Sequence, residues 1–294
     1  MPIKIGLIVL AIVGLVFFFW PGHPPYQFLT SLISQKSIQQ KLQVKNEPKQ
    51  EFNTLPSLVK AEYASDITEE DKGFVIRGIS ATDFYLQKWF GKSINQPAGL
   101  RVSISKSTNL ENAAQVVVED GKIVILIETE STLWKEMTQI NKYGGENRNR
   151  ISAHEYVHVY QFQNGCGRPD IQIPIAPKWF LEGEAEWLSH KVMHEAGLIP
   201  SFGFPQYSVI PLAKQQAGLL KSFEKKEGLE VSLYSFYTMA VDFLMKNRPI
   251  KTLDDFCANL AGGKGMSMPK AFEAAFGIPL DKFYEDFESY RKTW

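Results

Sequence analysis

The stretch ISAHEYVHVYQF, residues 151 to 162, limits what this chain can fold into more than any other. Its apolar and aromatic residues, Ile151, Ala153, Tyr156, Val157, Val159, Tyr160 and Phe162, are spread around most of a helical circumference, so the segment reads as a buried helix. Burial carries His154, Glu155 and His158 inward, where polar groups need partners. On a helix, residues four apart differ by about 40° in direction, so His154 and His158 project side by side and can ligate one ion. Glu155 sits about 100° around from His154, within reach of a metal-bound water without being a ligand itself. A further donor must come to this face from elsewhere in the chain.

Candidates for that donor follow after the proline- and glycine-bearing connection NGCGRPDIQIPIAPK. The next segment, WFLEGEAEWLSHKVMHEAG, has helical spacing and offers Glu182, Glu184 and Glu186. Glu184 points away from the other two. Glu182 and Glu186 share a face, which suits one as a metal ligand and the other as the carboxylate that holds a histidine ring N–H. His190 and His194 form a second pair at helical spacing, but no glutamate follows the first. Their charged or small neighbours suggest a solvated helix end.

The rest of the chain reads as an α+β arrangement. ISATDFYLQKWFG has apolar residues at helical spacing and stops at Gly91, LRVSIS alternates like a strand, and AQVVVEDGKIVILIET places Asp120-Gly121 between two β-branched runs, a hairpin signal. Beyond residue 150 strands nearly vanish, which gives a small mixed sheet followed by a helical half. AGGKGMS fails the phosphate-loop pattern, because Gly265 stands where Ser or Thr is required.

The N-terminus is of another kind. IKIGLIVLAIVGLVFFFW, from Ile3 to Trp20, contains one charge, Lys4, whose stem can snorkel to the surface, and the run is just long enough to span a bilayer. FFFWPGHPPY follows with an interfacial Trp and prolines rather than the small residues of a cleavage site. Residues 1–22 are therefore expected to be an uncleaved signal-anchor in the lipid bilayer. The positive-inside rule puts the N-terminus in the cytoplasm and the remainder outside, giving a single-pass membrane protein. Residues 23–55, rich in Gln, Lys and Ser, read as a juxtamembrane spacer, and residues 56–294 as the folded domain. Lysine plus arginine equals aspartate plus glutamate at 32 each, so no global field draws nucleic acid, and none is expected as a partner. Cys166 and Cys257, the only cysteines, lack the paired spacing of a zinc ribbon, and whether they join is open.

HEYVH followed by PKWFLEGEAEW resembles the gluzincin zinc metallopeptidases, most closely the peptidase-MA-like group with its Trp-x-x-Glu-Gly-x-Ala-Glu helix. YSFYTMAVDFLM and KAFEAAFGIPLDKFYEDFESYRK resemble later segments of that group, so the likeness covers roughly residues 70 to 292. The resemblance implies a zincin-like domain with one Zn2+ per chain, bound by His154, His158 and Glu182. It implies Glu155 as general base, Glu186 as the carboxylate behind a ligand, and Tyr234 as donor to the oxyanion, with Tyr237 one turn on as its rival. The longer connection from His158 to Glu182 departs from thermolysin-like enzymes. A peptide or protein substrate lies antiparallel along an edge strand in this superfamily, and GKIVILIETE is the candidate strand. No glycine-rich exopeptidase motif precedes the helix, which favours endopeptidase action. A membrane-tethered binding module of the same fold without catalysis, or a zinc hydrolase of non-peptide amides, are the competing expectations.

Overall fold

The computed structural model describes residues 50–94, 100–106, 113–120, 122–136, 147–168, 173–199, 204–224, 231–261 and 266–294. The expected anchor over residues 1–22 and most of the spacer lie outside the described residues. Among the described residues no helix is long and apolar enough to cross a membrane. The compact unit comprises Glu51–Trp294. Packing reaches a few residues into the stretch read as spacer: Phe52 is buried against Tyr85, and Ser80 Oγ donates to the Thr54 carbonyl at 2.5 Å.

The first half is a four-stranded sheet with one covering helix. Strands β1 (Val59–Tyr63) and β2 (Leu100–Ser105) pair in parallel, and α1 (Glu69–Phe90) makes the crossover that parallel pairing requires. Thr68 caps α1 by accepting the Asp71 N–H, three acidic residues fill its first turn, and Gly91 ends it in the left-handed conformation. β3 (Ala114–Glu119) and β4 (Lys122–Glu128) form the expected hairpin, closed by Glu119 opposite Lys122, with Asp120 at φ 51° in the turn.

The strand order is β1-β2-β4-β3, which corrects one expectation. GKIVILIETE is not an edge: β4 is hydrogen-bonded to β2 on one side and β3 on the other. Its run of Ile123, Val124, Ile125 and Ile127 is buried on both faces, as suits an interior strand. The edge next to the histidine-bearing helix is β3, whose middle residues are half-buried.

The second half is helical. α2 (Arg148–Gln163) packs along α1, and the two approach backbone to backbone: a Cβ on Gly78 would come within 2.1 Å of Ser152 Oγ and 2.2 Å of the Asn149 carbonyl. Arg148 fastens the start of α2, with its guanidinium 3.5 Å from the Phe74 ring centroid and ion pairs to Glu70 at 2.9 Å and Asp71 at 3.4 Å. α3 (Lys178–Glu195) packs on α2 and on α5 (Val231–Met245), with α4 (Phe204–Ala213) beside α5. α6 (Lys251–Ala261), α7 (Met268–Phe276) and α8 (Leu280–Arg291) complete the domain. Trp179, at the start of α3, stacks on Phe283 and meets Phe180 edge-on within a fully buried aromatic core. A Cys166–Cys257 disulfide ties the segment leaving α2 to α6, with the Cα atoms 4.5 Å apart. The strand pair β5 (Gly167–Arg168) and β6 (Ile173–Pro174) is the only further strand structure among the described residues beyond 150.

Candidate metal centre

α2 and α3 supply the site by facing one another across their polar residues. His154 and His158 lie one turn apart on α2 and Glu182 lies on the second turn of α3. His154 Nε2 and His158 Nε2 are 2.9 Å apart, and Glu182 Oε2 lies 3.4 Å from the first and 3.3 Å from the second. The three atoms form a tight triangle of potential ligands.

The opposite sides of both rings are occupied. His154 Nδ1 faces Glu186 Oε1 at 3.3 Å, and His158 Nδ1 faces Gln161 Oε1 at 2.7 Å. A carboxylate and an amide oxygen can only accept, so both rings favour a proton on Nδ1, and whenever a ring is neutral its Nε2 lone pair faces inward. Two ring nitrogens and a carboxylate oxygen meeting in a buried space need positive charge among them, supplied either by a proton on a ring or by a metal cation. Two histidines and one carboxylate are the ligand number and chemistry of a zinc site that leaves a fourth position open. Among the described residues the other cluster of potential ligands, Cys166, Glu184 and Cys257, has its sulfurs spent in the disulfide.

The surrounding charges fit the same picture. Burial lowers the affinity of His154 for a proton, but hydrogen bonding to Glu182 and Glu186 outweighs it and pushes the pKa up to about 10. Glu182 is held well below the ordinary carboxylate range: burial opposes ionisation, and the two histidines overcome it. The pocket thus favours positive charge at its centre. Glu155 is buried next to His154, and burial raises its carboxyl pKa against the lowering pull of His154 and His158.

Glu186, expected behind a ligand, lies there but serves more than one partner. Its Oε2 also pairs with Arg150, one turn before His154, and lies 3.8 Å from His190 Nε2. His190 is buried rather than solvated, which corrects the reading of the helix end. Burial first, and then the nearby Arg150, lower its pKa to about 3 and keep the ring neutral. His194, a turn later, is half-buried. Arg150 was not anticipated, although its helical spacing before His154 places it on the same face.

The two tyrosines of α5 separate clearly. The Tyr234 ring centroid is 6.0 Å from that of His154, and its hydroxyl is kept protonated by burial and by the charges of Glu182, Glu155 and Glu186. Tyr237 instead packs against Phe223 and Phe236 in the core. Glu184 points away from Glu182 and Glu186, as expected, and accepts from Gln161 Nε2 at 2.8 Å. Neither a protein-family model nor a curated protein matches this sequence.

Proposed function

We propose that this chain is a membrane-anchored, zinc-dependent peptidase with a zincin-like domain on the extracytoplasmic side of the bilayer. The observation that carries the reading is the inward convergence of His154 Nε2, His158 Nε2 and Glu182 Oε2, with the far nitrogen of each ring facing an acceptor. The Cys166–Cys257 disulfide supports an oxidising compartment, and with it the topology expected from the N-terminal apolar run.

In this reading His154, His158 and Glu182 hold one Zn2+. The ion's contribution when bound is to lower the pKa of water from about 15.7 toward about 7 and to polarise a carbonyl oxygen. Glu155 accepts the proton of the attacking water on a carboxylate oxygen and then delivers it to the leaving amine nitrogen. Tyr234 donates its phenolic O–H to the oxygen on which charge develops. Glu186 holds His154 in its ligating orientation, and Arg150 holds Glu186. The substrate backbone pairs along β3, the edge strand beside α2 among the described residues, and internal rather than terminal bonds are the expected targets.

Elemental analysis and peptide cleavage test this directly. The wild-type chain is expected to carry close to one zinc, Glu182→Ala to lose most of it, and Glu155→Gln to keep the metal while hydrolysis falls by roughly 10²–10⁴-fold. A wild-type chain that takes up no zinc on reconstitution, or a Glu155→Gln variant with full activity, would sink the proposal.

A further inference from the structure

Gln161 is fully buried one turn beyond His158, and neither the ligand set nor the proton transfer accounts for it. Its Nε2 donates to the Leu181 carbonyl at 2.9 Å and to Glu184 Oε2 at 2.8 Å. A main-chain carbonyl only accepts, so this end of the side-chain amide is the nitrogen and the other end is the oxygen. That oxygen, Oε1, lies 2.7 Å from His158 Nδ1 and can only accept, so the proton between them belongs to the histidine. A neutral imidazole with its proton on Nδ1 has its lone pair on Nε2, the atom turned toward His154 and Glu182. The direction of every hydrogen bond in this chain follows from one fixed point, the Leu181 carbonyl of α3.

We infer that Gln161 is a positioning residue for the metal: clamped by the main chain of α3, it keeps the His158 proton on Nδ1 and presents Nε2 to the ion. The inference rests on the zinc-site reading. Its clamp has a second effect. Leu181 immediately precedes Glu182, so one amide sets the orientation of the α2 ligand and ties it to the helix that supplies the α3 ligand. His154 Nδ1 instead faces the Glu186 carboxylate at 3.3 Å, so the two rings are set against chemically different acceptors.

The test uses the full chain loaded with zinc and two readouts besides turnover. Zinc affinity is measured by competition with a chelator, and the His158 ring is followed by ¹⁵N and ¹H NMR. In the wild type, His158 is expected to bind through Nε2 and to show a slowly exchanging Nδ1–H resonance. Gln161→Met, similar in size but without an acceptor, is expected to weaken zinc binding roughly 10–100-fold and to lose that resonance to solvent exchange. Gln161→Glu keeps an acceptor opposite Nδ1 but loses the donor to the Leu181 carbonyl, so it is expected to recover the resonance in part, with a zinc affinity between those of wild type and Gln161→Met. Equal zinc affinity in wild type and Gln161→Met, with the resonance retained, would overturn the inference alone. So would His158 binding through Nδ1 in the wild type, a result that needs no variant to fold. Absence of zinc from the wild type would overturn the site reading and this inference with it.

Discussion

Removing the Cys166–Cys257 bond, by Cys166→Ala together with Cys257→Ala, isolates how much of the helical half depends on one crosslink. The cysteines are 91 residues apart, and closing a loop of that length removes roughly 4.6 kcal/mol of conformational entropy from the unfolded chain at 25 °C. For a folded unit of this size each kcal/mol moves Tm by about 2–4 °C, so the double variant is expected to melt roughly 9–18 °C lower. The assay is a thermal melt of wild type and double variant in non-reducing buffer, followed by circular dichroism. Wild type with reductant serves as a check on the substitutions themselves. Zinc content at 25 °C is expected to stay near that of the wild type, because α2 is also held by α1 and by the Arg148 pairs. A fall in Tm of only a degree or two would refute the reasoning, since it would mean that the loop is already closed by residual structure before the bond forms.

Two other perturbations reach different parts of the domain. Gly183→Ala places a Cβ 2.4 Å from the Tyr237 carbonyl and 2.8 Å from Val241 Cγ2, so it is expected to destabilise by about 1–3 kcal/mol and, by shifting Glu182 next door, to weaken zinc binding; calorimetry and chelator competition check the two effects. Glu184→Gln tests a buried carboxyl. Burial, with Asp254 nearby and against the Gln161 hydrogen bond, pushes the Glu184 pKa up to about 8 from an ordinary 4.5. A carboxyl raised on folding contributes stability that is complete below pH 4.5 and is lost as pH rises through 8. The glutamine variant is therefore expected to match the wild type near pH 4.5 and to exceed it by several degrees at pH 9. Equal melting curves at both pH values would show that Glu184 is not shifted.

What could be read in the sequence follows from how local each signal is. The α2 helix, the Asp120-Gly121 hairpin and the Gly91 end of α1 rest on spacing within a dozen residues, and each stands as expected. The position of β4 did not, because strand order is set by tertiary pairing. Its unbroken run Ile123 to Ile127 nonetheless carried the mark of an interior strand. The disulfide depends on the approach of α2's exit to α6, which no spacing encodes. Which of Tyr234 and Tyr237 faces His154 depends on the rotation of α5 about its own axis, which is fixed by tertiary packing, including the close contact of Gly183 with the Tyr237 backbone. His190 was misjudged because the charged residues around it in sequence, Lys191 and Glu195, face another side of the helix and pair with each other at 2.8 Å.

Gly78 and Gly183 each let a ligand-bearing helix touch its neighbour at main-chain distance, α1 against α2 and α3 against α5. Main chains pressed together have no side-chain layer between them to reshuffle, so the α1–α2 pair, which carries His154 and His158, and the α3–α5 pair, which carries Glu182, are each stiffly joined. Beside α2 lies β3, which among the described residues is hydrogen-bonded to the sheet along one side only. The helices that bring His154, His158 and Glu182 together are thus fixed by main-chain contact, whereas the strand beside them is held by a single ladder of hydrogen bonds.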